Sequence, residues 1–169
     1  MAMAFVSMAA SAQLFEKKGV SGNKGGSVGI IGGAFGIYDE HSSGAFGVNG
    51  TAYGVYFDLM GWPRKHARST DVKKHENEKS CISVHVGYQL PLTKWLNFTP
   101  VVGYTAIKKG TTDGSKWSVS SSGIYNSFDV KEKTNGFDYG GILTFNIKAL
   151  QLYAAGTRYG AYGGIGFKF

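Results

Sequence analysis

The chain has 169 residues, 43% apolar and 17% charged, a size and balance that make one folded domain and exclude disorder. Its 26 glycines and 14% aromatic residues follow no Gly-X-Y period, which excludes collagen and points to strands that pack closely and curve. The single cysteine, Cys81, excludes a disulfide framework and a multi-cysteine metal site, and the net charge of +7 comes from basic residues in loops, not from a helix or aromatic platform suited to nucleic acid.

The chain opens MAMAFVSMAASAQ, an apolar run ending in the small residues Ala10-Ser11-Ala12. Residues 1–12 read as a signal peptide cleaved before Gln13, and 13–25 as a lead-in to the folded domain. No Lys or Arg precedes Lys17. The segment is therefore either the end of a longer signal or a coincidence. No apolar run approaches the ~18 residues of a transmembrane helix. The other structure able to cross a bilayer is a closed barrel, whose strands satisfy one another's backbone groups.

SVGIIGGAFGIYD reads as a strand, near 27–38, with apolar residues on both parities, so its facing stays open. Asn49-Gly50 is a strong hairpin signal. It joins strands at 43–48 and 51–61, sets Phe46 across from Tyr53, and leaves Val55, Phe57 and Leu59 to extend that face. From Trp62 to Ser80 the sequence is polar. Arg64, Lys65, Arg68, Lys73 and Lys74 are candidate contacts for phosphate, while His66 and His75 match no established metal spacing.

In the strand at 81–90, Ile82, Val84, Val86, Tyr88 and Leu90 alternate with Ser83, His85, Gly87 and Gln89. After a turn from Pro91 to Trp95, a strand at 96–107 repeats the pattern, with Leu96, Phe98, Pro100, Val102 and Tyr104 on the apolar face. Pro100 cannot donate to a ladder and predicts a bulge. The stretch from Lys108 to Asn135 reads as a second long polar loop. Strands follow at 136–147, 150–158 and 161–169, joined by Lys148-Ala149 and Tyr159-Gly160. In the last, Ile165, Phe167 and Phe169 share one face, opposite Tyr162, Gly164, Gly166 and Lys168. Eight strands result. Apart from Tyr159-Gly160, short turns lie at one end and longer polar connections at the other.

A terminal Phe preceded by alternating apolar residues resembles the C-terminal signature of bacterial outer-membrane β-barrels, and GYQLPLTKWLNFTPVVGY resembles the paired strands around a periplasmic turn in their small members. The resemblance implies an all-β fold, a closed antiparallel up-and-down transmembrane barrel spanning 26–169 in the outer membrane. It implies recognition of Ile165, Phe167 and Phe169 by the barrel assembly machinery, and outer-membrane lipids and lipopolysaccharide as surroundings. It also implies a monomer without a cofactor or metal. Aromatics such as Tyr53, Tyr88, Trp95, Tyr104 and Phe169 suit a membrane interface.

Eight strands enclose a space that side chains can fill. Asp58, His85, Asp138, Tyr153 and Lys168, with Tyr56 and Tyr162, are the candidates for a polar network inside. The function so implied is structural or surface-interactive, with no catalytic residue assigned. Three alternatives stay open. A lipid-modifying enzyme could use Ser83, His85 and Asp138 as a triad, although Ser83 and His85 stand only two apart. A narrow conduit for small apolar solutes is the second, and a secreted soluble barrel with its apolar faces turned inward is the third.

Overall fold

The computed structural model describes residues 25–36, 43–62, 74–120 and 123–169. The expected signal and lead-in, apart from Gly25, lie outside them. So do Asp39 to Ser42 and the loop residues Arg64, Lys65, Arg68 and Lys73. The described chain is all β: β1 Gly26–Phe35, β2 Ser43–Ala52, β3 Val55–Trp62, β4 Lys74–Tyr88, β5 Leu96–Ser120, β6 Gly123–Ile147, β7 Leu150–Thr157 and β8 Gly160–Lys168. Leu90–Pro91 adds a two-residue continuation of β4 against Phe98 and Asn97. Every strand is antiparallel to its neighbours, and β8 returns to pair with β1 along nine residue pairs, so the sheet closes into an eight-stranded barrel. Gly26 and Phe169 complete that seam, each amide donating to the other's carbonyl at 3.1 and 3.0 Å.

The period of two decides inside from outside. In β1 the even residues Val28 and Ile30 face out, while Ser27, Ile31 and Phe35 face in, which settles the facing that the sequence left open. Outward rows elsewhere include Phe46, Val48, Phe57, Leu59, Ile82, Val84, Val102, Phe137, Leu143, Ile165 and Phe167. The interior is a small apolar core around Phe35, Tyr56, Met60 and Ile142, surrounded by buried Asn49, Asp58, His85, Thr99, Thr105, Asp138, Thr144 and Gln151. This is a globular protein inverted. A soluble barrel requires the opposite arrangement, so that reading is set aside.

Four sequence expectations are corrected. Asn49-Gly50 is no turn: it lies inside β2, with Asn49 opposite Asp58, and the chain reverses at Tyr53-Gly54. A turn at Asn49 would leave β2 six residues long, too short to cross a bilayer that needs about 9–11. Moving the turn preserves parity, so the predicted facing of β2 and β3 is retained. Pro100 makes no bulge against β6, where it sits opposite Gly141 in unbroken register. The interruption falls on the other side: pairing with β4 stops after Gly87 and Val101 and resumes at Leu90 and Phe98. The polar stretches at 74–80 and 108–135 are not simple loops. They prolong β4, β5 and β6 into an arm beyond the barrel wall, with register shifts at His75/Glu78, Lys109/Gly110 and Asp113/Trp117. Asn77 takes the left-handed backbone at the first of these (φ 60°), where asparagine is among the better tolerated residues. The final turn is shifted by one residue, to Arg158-Tyr159, whereas Lys148-Ala149 turns as expected.

Gly54 combines φ +83° with the Tyr88 ring 2.8 Å from where a Cβ would stand. Gly54→Ala should therefore destabilise the β2–β3 hairpin by about 1–2 kcal/mol, read as a lower urea midpoint for the barrel folded in lipid vesicles.

Candidate functional site

Register assembles the polar centre. Asn49, Asp58, His85, Gly103 and Asp138 lie directly opposite one another on β2 through β6, all on inward positions. Asp58 reaches His85 from the adjacent strand, its Oδ1 accepting from Nδ1 at 2.9 Å. Asp138 is one strand further away on the other side, and Gly103 lies between. A Cβ at Gly103 would stand 2.7 Å from the His85 ring, so its absence leaves the imidazole room to extend toward Asp138. His85 Nε2 then lies 3.1 Å from Asp138 Oδ2. With both ring nitrogens aimed at carboxylate oxygens, the state that satisfies both bonds is the doubly protonated imidazolium.

Hydroxyls converge on one oxygen of each carboxylate, while Asp138 Oδ1 is buried without a hydrogen-bond partner. Tyr56 and Tyr162 donate to Asp58 Oδ2 at 3.0 and 2.8 Å, and Thr105 and Thr157 donate to Asp138 Oδ2 at 2.6 and 3.2 Å. Tyr162 crosses from β8 and stacks with the His85 ring, with centroids 5.9 Å apart and planes inclined by 17°; Phe35 also stacks with the Tyr162 ring, at 6.0 Å. Residues from β3, β4, β5, β6, β7 and β8 thus meet at one level of the barrel.

Of the seven network candidates read from the sequence, the fold brings together Asp58, His85, Asp138, Tyr56 and Tyr162. Tyr153 belongs to a separate cluster nearer the short turns, donating to Gln151 Oε1 at 2.7 Å, with Ser27 and Thr51 beside it and Gln151 bonded to Asn146. Lys168 has inward parity but stands exposed at the end of β8, so it is not part of the interior network. Ile165, Phe167 and Phe169 all face outward on the closing strand. Lys74, the described member of the basic loop set, is exposed and 3.9 Å from Glu76. Thr105, Thr157 and Gly103 escaped sequence reading, because a threonine or glycine on an inward position carries no signal until its cross-strand partners are known.

The connectivity Ser83 Oγ to His85 Nε2, 3.3 Å, and His85 Nδ1 to Asp58 has the order of nucleophile, base and orienter. Asp58, not Asp138, occupies the orienting position. Yet Nε2 is shared with Asp138, Ser83 Oγ is 2.7 Å from Thr105 Oγ1, and Ser83, His85 and Asp58 are at most 1% exposed. A reacting atom has no approach to Ser83 in this arrangement. What the geometry provides is a cross-brace.

No protein-family model matches the chain, and no curated protein sequence does. Among solved structures, the N-terminal β-barrel domain of Pseudomonas aeruginosa OprF is similar with a TM-score of 0.51 at 14% identity, over 88% of this chain and 100% of that one. Ail, the attachment invasion locus protein of Yersinia pestis, is similar with a TM-score of 0.50 at 12% identity, over 89% and 100%. With its inverted polarity, closed antiparallel topology and eight staves, the chain has the fold of the small eight-stranded transmembrane β-barrels.

Proposed function

We propose that the protein is an integral barrel of the bacterial outer membrane with a structural or surface-interactive role, monomeric, inserted by the barrel assembly machinery and surrounded by lipid and lipopolysaccharide. One observation carries this reading: the wall is apolar outside, while the inside is braced by a buried carboxylate, histidine, carboxylate cluster capped by tyrosines. The apolar band supplies the membrane solvent match. The brace occupies the space a conduit would need, and its burial deprives Ser83 of substrate access. The β4–β5–β6 arm and the basic segment containing Arg64, Lys65, Arg68, Lys73 and Lys74 are the surfaces offered to anionic groups outside the cell.

Two measurements test it together. The folded chain should fractionate with outer membranes and migrate faster on a gel unheated than boiled, since a closed ladder resists detergent. In planar bilayers it should give no steady conductance. Recovery as a soluble species would overturn the location, and stable single-channel steps would overturn the filled lumen.

A further inference from the structure

The outer wall carries a second feature, at the level where barrel becomes arm. Outward residues of β2 to β6 form registered rows. One row is Val48, Leu59, Val84, Tyr104, Phe137; the next is Phe46, Gly61, Ile82, Ala106, Asn135; the third is Ser80, Lys108, Lys133. In the middle row Gly61 and Ala106 contribute almost no side chain beside Phe46 and Ile82. The result is an apolar trough of about 590 Å³, lined by Phe46, Val48, Leu59, Trp62 and Ile82, with Ser80 at its upper rim. Trp62 closes one flank by an edge contact to Phe46 at 5.5 Å.

The row above Ala106 is unusual in charge. Lys108 and Lys133 are direct cross-strand partners, both exposed, an arrangement that is unfavourable unless an anion lies between them. Neither has a carboxylate partner among the described residues. The adjacent Glu132 is opposite Lys109, whose ammonium is 3.6 Å from its carboxylate, on the other parity. Beneath the lysines Asn135 donates to the Tyr104 hydroxyl, so polarity changes from apolar to cationic within two rows.

Taking the outward wall to be the lipid-facing wall, as in the reading above, we propose that this trough and lysine pair form a binding site for one outer-leaflet lipid with a phosphate-bearing headgroup. An acyl chain lies in the Gly61 gap against Phe46, Leu59 and Ile82, and the phosphate bridges the ammonium groups of Lys108 and Lys133, with Ser80 as a hydroxyl donor. The continuity of trough and cations on adjoining rows selects an acylated anion over a free one.

The test uses the full chain folded in phosphatidylcholine nanodiscs that contain a trace of phosphatidic acid carrying a photoactivatable diazirine in its acyl chain. Adducts on peptides containing Phe46, Leu59 or Ile82 should exceed those on the Leu143 and Leu152 wall roughly thirtyfold, the enrichment expected from two lysines near a lipid surface. The Lys108→Gln/Lys133→Gln variant should lower trough labelling to that of a phosphatidylcholine probe of the same chain. Gly61→Leu should remove trough labelling with the lysines intact; the wild-type heat shift on gels verifies that the variant is folded, and the exposed lysine variants provide the test if it is not. Labelling equal around the wall, or indifferent to the lysines, overturns the site. Loss of labelling on adding inorganic phosphate alone reassigns the lysines to a soluble anion, and covalent dimers through the trough reassign it to a second copy. Either overturns the lipid assignment while leaving the heat shift and absence of conductance untouched.

Discussion

Leu143→Arg should cost about 2–4 kcal/mol of barrel stability, or prevent assembly altogether, because it places a guanidinium on the outward wall near the bilayer midplane. Leu143 is opposite Ala154, midway along β7, with its side chain directed away from the lumen. The same substitution at Phe145, closer to the short turns and stacked on Trp95 at 6.1 Å, should cost less, since an arginine there reaches the headgroups. Thr144, between them, is fully buried on the inside with no hydrogen-bond partner for its hydroxyl, and Thr144→Ser should be mild because it removes a single methyl and adds no charge or new polar group. Urea titration in vesicles, with the heat shift on gels as the readout of folding, ranks the three. A neutral Leu143→Arg beside a failed Thr144→Ser would mean that inside and outside are exchanged.

The second large effect lies at the brace. His85→Leu removes the partner that holds two buried carboxylates apart, leaving Asp58 and Asp138 with hydroxyl donors but no cation. A loss of about 3–5 kcal/mol is expected, the cost of an uncompensated buried charge. Adding Asp58→Asn and Asp138→Asn to His85→Leu should recover much of that loss, because the amides still accept from Tyr56, Tyr162, Thr105 and Thr157 while carrying no charge. A triple variant at least as unstable as the sum of its parts would show that the ionic arrangement itself stabilises the barrel, and the structural account of the brace would need revision.

The strands in the barrel wall were legible because lipid on one side and a packed lumen on the other impose a period of two on every stave. Where that two-sided contrast ends, legibility ends with it. Beyond the wall burial no longer alternates: Gly110, Thr111 and Thr112 are buried in succession and Asp129 to Asn135 are exposed in succession, so KKGTTDGSKWSVS shows no alternation and reads as a loop. The turn after β2 was misplaced because Asn49-Gly50 has the better local chemistry; span length overrides it, and a tyrosine takes the left-handed position instead, with φ of 50° at Tyr53. Asp58, His85 and Asp138 could be read from parity as members of one interior network, but not which carboxylate meets which ring nitrogen. Eleven residues, 63–73, separate β3 from β4, so sequence spacing alone does not give the register of one on the other. Lys168 shows the converse: parity gives the face of a residue, and only its distance along the strand decides whether that face still has a lumen behind it.

The seam between β1 and β8 also sets an order in time. Gly26 and Phe169 bond across a sequence separation of 143, whereas the other seven strand pairs join neighbours in sequence. The hairpins can form locally and zip in succession, but the cylinder cannot close until β8 is present. Until then β1 and β8 both expose unpaired amides and carbonyls, the surfaces on which stray strands from other chains would pair. Assembly therefore has a vulnerable open-sheet interval whose length is set by closure of the terminal seam, and substitutions at Ile165 or Phe167 should prolong that interval before they alter the finished barrel.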